Sequence, residues 1–544
     1  DATNVGQLVA SAGSLGLFGT VVGNSGRVSA DSATLQGGKI VFRASQSAQV
    51  GGMVSATGSS GGTIEVLGNQ VGVLGNANID ASGVNGGGTV LVGGDAHGAN
   101  SDVPNAQITY VAPNAAISAD ATQNGNGGKV VVWSDNTTSA DGSLSARGGA
   151  QGGNGGFVET SGKRFLEVAN PADVSAPKGQ GGTWLLDPYN LTVVASPTVG
   201  NLDVFNPNFT ANATNSTVSN TVIQGALSMG TNVVLDTGAG TCAVAGTCNI
   251  TVNAPITAQL PVAGATLTMN AADSIFINQP ITATGGALNL ALNHGAAGNA
   301  TVANTLSMLG GSVNVGNYGL TGTVTPGVGS VIFTGGATAL TGNLSTYNLT
   351  MSGGTLNLNS GATPTLTSLN MNSGYLSSKG AVTAGSLNIT GGTLTGAGSY
   401  TVTGATAFVP CLNCSQYFYV DGTTLNTQGA TSQTVNGTSA IYTYLSNGAV
   451  INNTGTWTLN NFTIYQGAGT ADNFNNQGTT GVVSVTGMGG RIDPLFNDTS
   501  TAANSVNVTA GTLTLAGGGT SSSSFNVATG AGLTFTNNLG NNTP

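Results

Sequence analysis

The sequence predicts an all-β protein built from stacked coils, a β-solenoid, and three observations predict it. Glycine is more than twice as common as usual, with 88 in 544 residues, yet the glycines follow no three-residue period. Charge is scarce, 10 basic and 20 acidic residues, so the Lys, Glu and Arg that favour helices are nearly missing. Short apolar runs return at near-regular intervals, each introduced by a glycine pair. The same facts exclude several classes. Disordered chains are charged and poor in β-branched residues, whereas 39% of this chain is hydrophobic. Collagen needs far more than 15 prolines. No run reaches the roughly 18 apolar residues of a membrane helix, so no transmembrane segment is expected.

Two markers set the beat of the first third. A strand end followed by a small residue recurs as Val28-Ser29-Ala30, Val54-Ser55-Ala56, Ile79-Asp80-Ala81, Ile117-Ser118-Ala119, Leu144-Ser145-Ala146 and Val174-Ser175-Ala176. A Gly-Gly pair running into an apolar strand follows each one, at Gly37, Gly61, Gly87, Gly127, Gly155 and Gly181, at intervals of 24, 26, 40, 28 and 26 residues. The long interval holds an insertion, Gly93 to Pro113, expected to project as a loop or hairpin. A looser series of pairs continues at Gly285, Gly310, Gly335, Gly353 and Gly391. Between them the pattern alternates strictly, as in Thr355-Leu356-Asn357-Leu358-Asn359, which marks strands with one buried face. Gly, Asn and Ser between strands are expected to supply positive φ at the corners.

Each unit of 18–28 residues therefore reads as one coil of two or three strands. A coil cannot bury its apolar face alone, so neighbours must cover it. At about 4.8 Å per layer, about 24 coils would make a rod on the order of 110 Å. A series of antiparallel sandwiches is the competing architecture, since it also spaces strands regularly. Charge divides the chain: residues 1–190 hold 13 acidic and 8 basic residues, and 191–544 hold 7 and 2. Three parts are expected: 1–190 with the insertion at 93–113, a nearly uncharged 191–410, and an aromatic-rich 411–544.

Several runs carry a family resemblance. They are Ile79-Asp80-Ala81-Ser82-Gly83 with Gly86-Gly87-Gly88-Thr89-Val90-Leu91-Val92-Gly93-Gly94-Asp95, and Asn126-Gly127-Gly128-Lys129-Val130-Val131-Val132-Trp133-Ser134-Asp135. Two more are Gly155-Gly156-Phe157-Val158-Glu159-Thr160-Ser161-Gly162 and Gly182-Thr183-Trp184-Leu185-Leu186-Asp187-Pro188-Tyr189. Over residues 20–195 the chain resembles filamentous-haemagglutinin-type exoproteins. The resemblance implies a right-handed parallel β-helix secreted by the two-partner route. It also implies an outer-membrane transporter as partner and a place at the bacterial surface. The family's amino-terminal secretion domain is not recognisable, and the chain reads as a piece of a longer exoprotein.

Chemistry-bearing residues are few. The two histidines, His97 and His294, stand far apart; His97 lies in the insertion near Asp102 and reads as an exposed loop residue. A carbohydrate-active β-helix needs facing carboxylates, and Asp80 with Asp102, or Asp120 with Asp141, have compatible spacing no better than random. No phosphate-binding loop, zinc set or regular Ca²⁺ repeat occurs, so neither catalytic residues, metal nor cofactor is expected. An acidic surface without a basic stripe disfavours nucleic acid. Cys242 with Cys248 and Cys411 with Cys414 read as two local disulfides, the default for an exported protein.

Asn136, Asn190, Asn208, Asn212, Asn249, Asn348, Asn388 and Asn461 head Asn-x-Ser/Thr sequences and are candidate glycosylation sites. The densest aromatic stretch holds Tyr417, Tyr419, Tyr442, Tyr444, Trp457, Phe462 and Tyr465. Core filling is one reading of it; a surface that stacks on sugars or another chain is the other. The candidate contact residues are His97, Tyr417, Tyr419, Trp457 and Tyr465. The expected function is a secreted adhesin, a stiff rod that holds binding loops toward a cell-surface or glycan receptor. The alternatives are a self-associating fibre or biofilm-matrix subunit and, third, a carbohydrate-active enzyme.

Overall fold

A computed structural model describes residues 1–33, 36–196, 215–238, 248–295, 300–302, 306–307, 312–315, 321–322, 330–333, 337–340, 348–358, 363–410, 415–433 and 440–536. The chain is all-β, and among the described residues its strands pair in parallel. It divides into two compact units, Asp1–Gly311 and Ser312–Pro544.

In the first unit, each strand after a glycine pair lies in register on the one before. Ile40, Ile64, Val90, Val130, Val158, Trp184, Val233, Leu267 and Leu290 face one another in succession. None of these nine is more than 1% exposed. Each such side chain contributes about 1.5–3 kcal/mol by leaving water, and only its neighbours in the stack can cover it. Ladders therefore run through residue 190 without a break, Thr183–Leu186 pairing with Asn232–Asp236. A six-stranded sheet holds the other marker, with Val28, Val54, Ile79, Ile117 and Leu144 in register. The sixth copy is out of phase: Asp173 opposes Ser145, so Val174 takes the position of the alanines.

The sequence leads one to expect left-handed corners at the paired glycines, but the six pairs from Gly37-Gly38 to Gly181-Gly182 have no positive φ, whereas Gly285, Gly354 and Gly392 of the later pairs do, at +82°, +68° and +98°. The second glycine of each pair donates its N–H to the carbonyl of Ala30, Ala56, Ala81, Ala119, Ala146 or Val174 at 2.7–2.8 Å. A Cβ on Gly62, Gly88, Gly128, Gly156 or Gly182 would fall within 3.0 Å of the carbonyl of the paired glycine in the preceding layer. Close backbone approach, not turn geometry, requires glycine there.

The sequence indicated no helix, yet Asn220–Ser228 forms one. The Ser219 side chain caps it by accepting from the Thr221 amide, and Val222, Ile223, Ala226 and Leu227 are its buried face. Polar residues at Asn220 and Gln224 tie it down by donating to the Pro255 carbonyl at 2.7 and 2.9 Å.

In the second unit three ladders recur in turn. One runs Gly392–Thr395, Ser415–Asp421, Ala440–Ser446, Phe462–Gln466, Gly490–Ile492, Thr512–Leu515 and Gly532–Phe535. The second runs Ser399–Val402, Thr424–Thr427, Val450–Asn453, Asn473–Asn476, Leu495–Asp498 and Gly519–Ser521. The third begins at Thr406–Phe408 and ends at Phe525–Val527. Gly353 and Gly391 belong to this unit, whereas Gly310 and Gly335 lie outside the described residues.

Polar groups also join layers. Asp31 accepts from Ser29 Oγ at 2.7 Å, and from the Thr57 amide and hydroxyl of the next layer at 2.8 and 2.9 Å. It accepts from Ser55 as well. Burial alone would raise its pKa, but the hydrogen bonds from Ser55, Ser29 and Thr57 outweigh it and hold the carboxyl below its ordinary 3.8. A depressed carboxylate pKa stabilises the fold above the ordinary value and loses that contribution as pH falls through the folded one. Asp31→Asn should therefore cost about 1–2 kcal/mol at pH 7, in the lower range because the carboxylate is partly open to water. Urea melts should show that gap at pH 7 and its closure as pH falls below the ordinary carboxylate range; a gap independent of pH would refute the assignment.

Candidate functional site

Two surfaces stand out chemically, one on each unit. The first is the insertion. It is shorter than expected, since Ile108–Val111 belongs to the ladder between Gln70–Val73 and Thr137–Ala140. Nor does it project. Residues 93–107 fold back over the outer face of the sheet, where Ala96 and Val103 pack with Phe157 on the buried Leu91, Val131 and Trp133. Gly98 lies so close to the Trp133 indole that a Cβ would fall within 3.0 Å of it. The turn Ala96–Gly98 is set by Asp95, whose carboxylate accepts from the Ala96 amide at 2.7 Å and from Asn100 Nδ2 at 2.8 Å, and pairs with Lys129. Asn105 Nδ2 closes the loop by donating to the Gly98 carbonyl at 2.9 Å.

His97 sits at the apex with φ +56°, a left-handed conformation that costs a non-glycine residue about 1–2 kcal/mol. Its backbone N–H donates to both carboxylate oxygens of Glu159, at 3.1 and 3.2 Å. Its Nδ1 lies 3.1 Å from Asp187 Oδ2. Glu159 follows Val158 in Phe157–Gly162, so the two-residue alternation turns it to the outer face, where the insertion buries it completely. Asp187 follows directly on Thr183–Leu186, one layer on. Burial pushes Glu159 up to about 7 against the pull of His97. Burial and the charge of Asp236 push Asp187 up to about 6. Burial opposes the imidazolium, but Asp187 and Glu159 outweigh it and raise His97.

His97 is thus exposed, as expected, but anchored. Asp102 is not its partner; the Asp102 amide instead donates to Asn100 Oδ1 at 3.1 Å. Glu159 and Asp187 were not singled out from the sequence, where 62 and 90 residues separate them from His97. The carboxylates considered for catalysis have other occupations: Asp120 takes Arg147 Nε and Nη2 at 3.0 and 2.7 Å, Asp141 accepts from Ser139, and Asp80 from the Ser82 amide.

The second surface is a stack of tyrosines. Tyr417 and Tyr419 on Ser415–Asp421 stand in register with Tyr442 and Tyr444 on Ala440–Ser446, and Tyr444 with Tyr465 on Phe462–Gln466. Ring centroids are 5.5 Å apart for Tyr417–Tyr442, 5.3 Å for Tyr419–Tyr444 and 5.0 Å for Tyr444–Tyr465, all stacked. Tyr417 is exposed, whereas Tyr444 is covered by the rings on either side. Burial and neighbouring phenols raise the hydroxyls of Tyr419 and Tyr444. Trp457 does not belong to it. The indole is 0% exposed and packs edge-on to Phe474 at 5.1 Å, with Phe408 at 6.2 Å and Phe462 at 6.3 Å. It is core, because its strand points it inward in phase with Leu459.

Among the sequon asparagines, Asn190, Asn249 and Asn348 accept hydrogen bonds from Ser216, Ser274 and Ser368 in the next layer at 3.1, 2.9 and 2.6 Å. Asn388 spends its Nδ2 on Asn370 at 2.9 Å. Asn461 is exposed with φ +53°, Asn136 is half-buried, and Asn208 and Asn212 lie outside the described residues. Cys248 is disulfide-bonded; Cys242, Cys411 and Cys414 lie outside the described residues.

No family model matches this chain, and no curated protein matches it. Among the described residues, no helix is long and apolar enough to cross a membrane. The two aromatic roles predict different outcomes. Trp457→Ala should destabilise the second unit by about 3–5 kcal/mol. Tyr417→Ser, on the exposed rim, should stay within about 1 kcal/mol of the parent chain. Thermal melts of both variants check the contrast.

Proposed function

We propose that this chain is the β-solenoid portion of a secreted bacterial adhesin of the filamentous-haemagglutinin type, each unit a right-handed parallel β-helix. The outward tyrosine stack carries the reading. Parallel pairing fixes the rings about one strand spacing apart, so they form a stacked, pre-organised aromatic platform. Such a platform suits the apolar faces of sugar rings, with the phenols donating to sugar hydroxyls. Scarce charge and tight layers favour presentation over turnover, and the resembling runs of residues 79–95, 126–135 and 155–189 add export through an outer-membrane two-partner transporter to the bacterial surface.

The test is binding of the purified chain to immobilised glycans and to host-cell surfaces. Single Tyr417→Ser, Tyr442→Ser and Tyr465→Ser variants should each weaken binding about 2- to 10-fold, and the triple variant should abolish it while far-UV circular dichroism still shows the parent's strand content. Binding that survives the triple variant would remove the tyrosine face from the function. Continuous filaments from the purified chain in electron microscopy would favour the fibre reading instead.

A further inference from the structure

The insertion ends on a set of donors that the adhesin reading does not use. We propose that His97, Glu159 and Asp187 form a divalent transition-metal site, for Zn²⁺ or Mn²⁺, that clasps the insertion to the two layers beneath it. His97 Nδ1 and one carboxylate oxygen from each acid lie within 4.8 Å of one another. Metal–ligand bonds near 2.0–2.2 Å place neighbouring donors about 3–3.5 Å apart, and the Nδ1–Oδ2 pair is already at 3.1 Å.

Three further features fit a cation. Glu159 is fully buried and the Asp187 side chain only 11% exposed, and both face a single imidazole, with Asp236 adding negative charge to Asp187. Lys163, the nearby cation acting on Asp187, is itself engaged by Asp135 at 2.8 Å. An ion would take the place of the contact between Nδ1 and Oδ2. The mixed nitrogen and oxygen donors favour Zn²⁺ or Mn²⁺ over Ca²⁺, which prefers six or more oxygens. The imidazole side of the site is open to solvent, with the His97 side chain 55% exposed, so water completes the coordination.

The full chain, stripped with EDTA and dialysed against ZnCl₂ or MnCl₂, should take up one ion that excess CaCl₂ does not displace, measured by elemental analysis and calorimetry. His97→Gly keeps the left-handed backbone while removing the ligand, and Asp187→Asn keeps the shape of the carboxylate. Each should weaken uptake by about tenfold or more without unfolding the chain. Limited proteolysis within 93–107 should slow when the ion is bound, and only in the parent chain. No uptake by the parent, displacement by Ca²⁺, or uptake undiminished in both variants would overturn the site.

Discussion

The backbone of each of the six glycine pairs from Gly37-Gly38 to Gly181-Gly182 is held from two sides at once. Within its own layer the second glycine donates to the alanine-position carbonyl, from Gly38 with Ala30 through Gly182 with Val174. Against the layer before, its α-carbon sits where any Cβ would overlap a carbonyl. The first contact ties two sides of a layer together; the second sets how closely layers approach. Only when both hold can the strand beginning at Lys39, Thr63, Thr89, Lys129, Phe157 or Thr183 fall into register, and with it the apolar column from Ile40 to Leu290. A methyl group at one pair would push layers apart over several rungs, so the penalty would exceed the small propensity difference between glycine and alanine.

Much of this was legible in the sequence. The two markers are hydrogen-bonded partners, and their shared drift in spacing reflects that bond. The physical meaning of the glycines was not legible, because a Gly-Gly pair reads alike whether it serves a left-handed corner or a close approach. Trp457 could have been separated from the tyrosines by phase alone: it alternates with Leu459, while Tyr417 and Tyr419 alternate against Phe418 and Val420. The helix Asn220–Ser228 stayed hidden since nine residues with several β-branched and polar members carry little helical signal of their own. The His97 cluster stayed hidden for another reason. Its members meet only after the chain has turned through later layers, and no local pattern records which outward residue a loop will cover.

The few charges follow the same logic. Asp31 with Ser55 and Thr57, Asp120 with Arg147, and Lys39 with Glu65 each join residues of different layers. In the second unit neutral carboxamides do this work, as Asn452 donates to Asn426, Asn475 to Asn452 and Asn497 to Asn475 at 2.9–3.0 Å. A stack of like charges at strand spacing would repel, whereas an amide can donate to one neighbour and accept from the other. The low charge content is therefore a requirement of parallel in-register stacking wherever the same position recurs.

The outer faces of the two units show how one scaffold can be finished in two ways. In the first unit, outward Leu91, Val131 and Leu185 are apolar and could not face water as a group, so the 93–107 loop covers the face and buries Glu159 with it. Covering creates the acid cluster as a by-product, because a carboxylate at that position loses its water once the loop lies over it. In the second unit several outward positions carry tyrosines, whose rings stack on one another and cover Tyr444 between them. A covered face can hold an ion and an uncovered one can meet a receptor. The difference rests on whether the outward positions of the ladder carry aliphatic side chains or amphipathic rings.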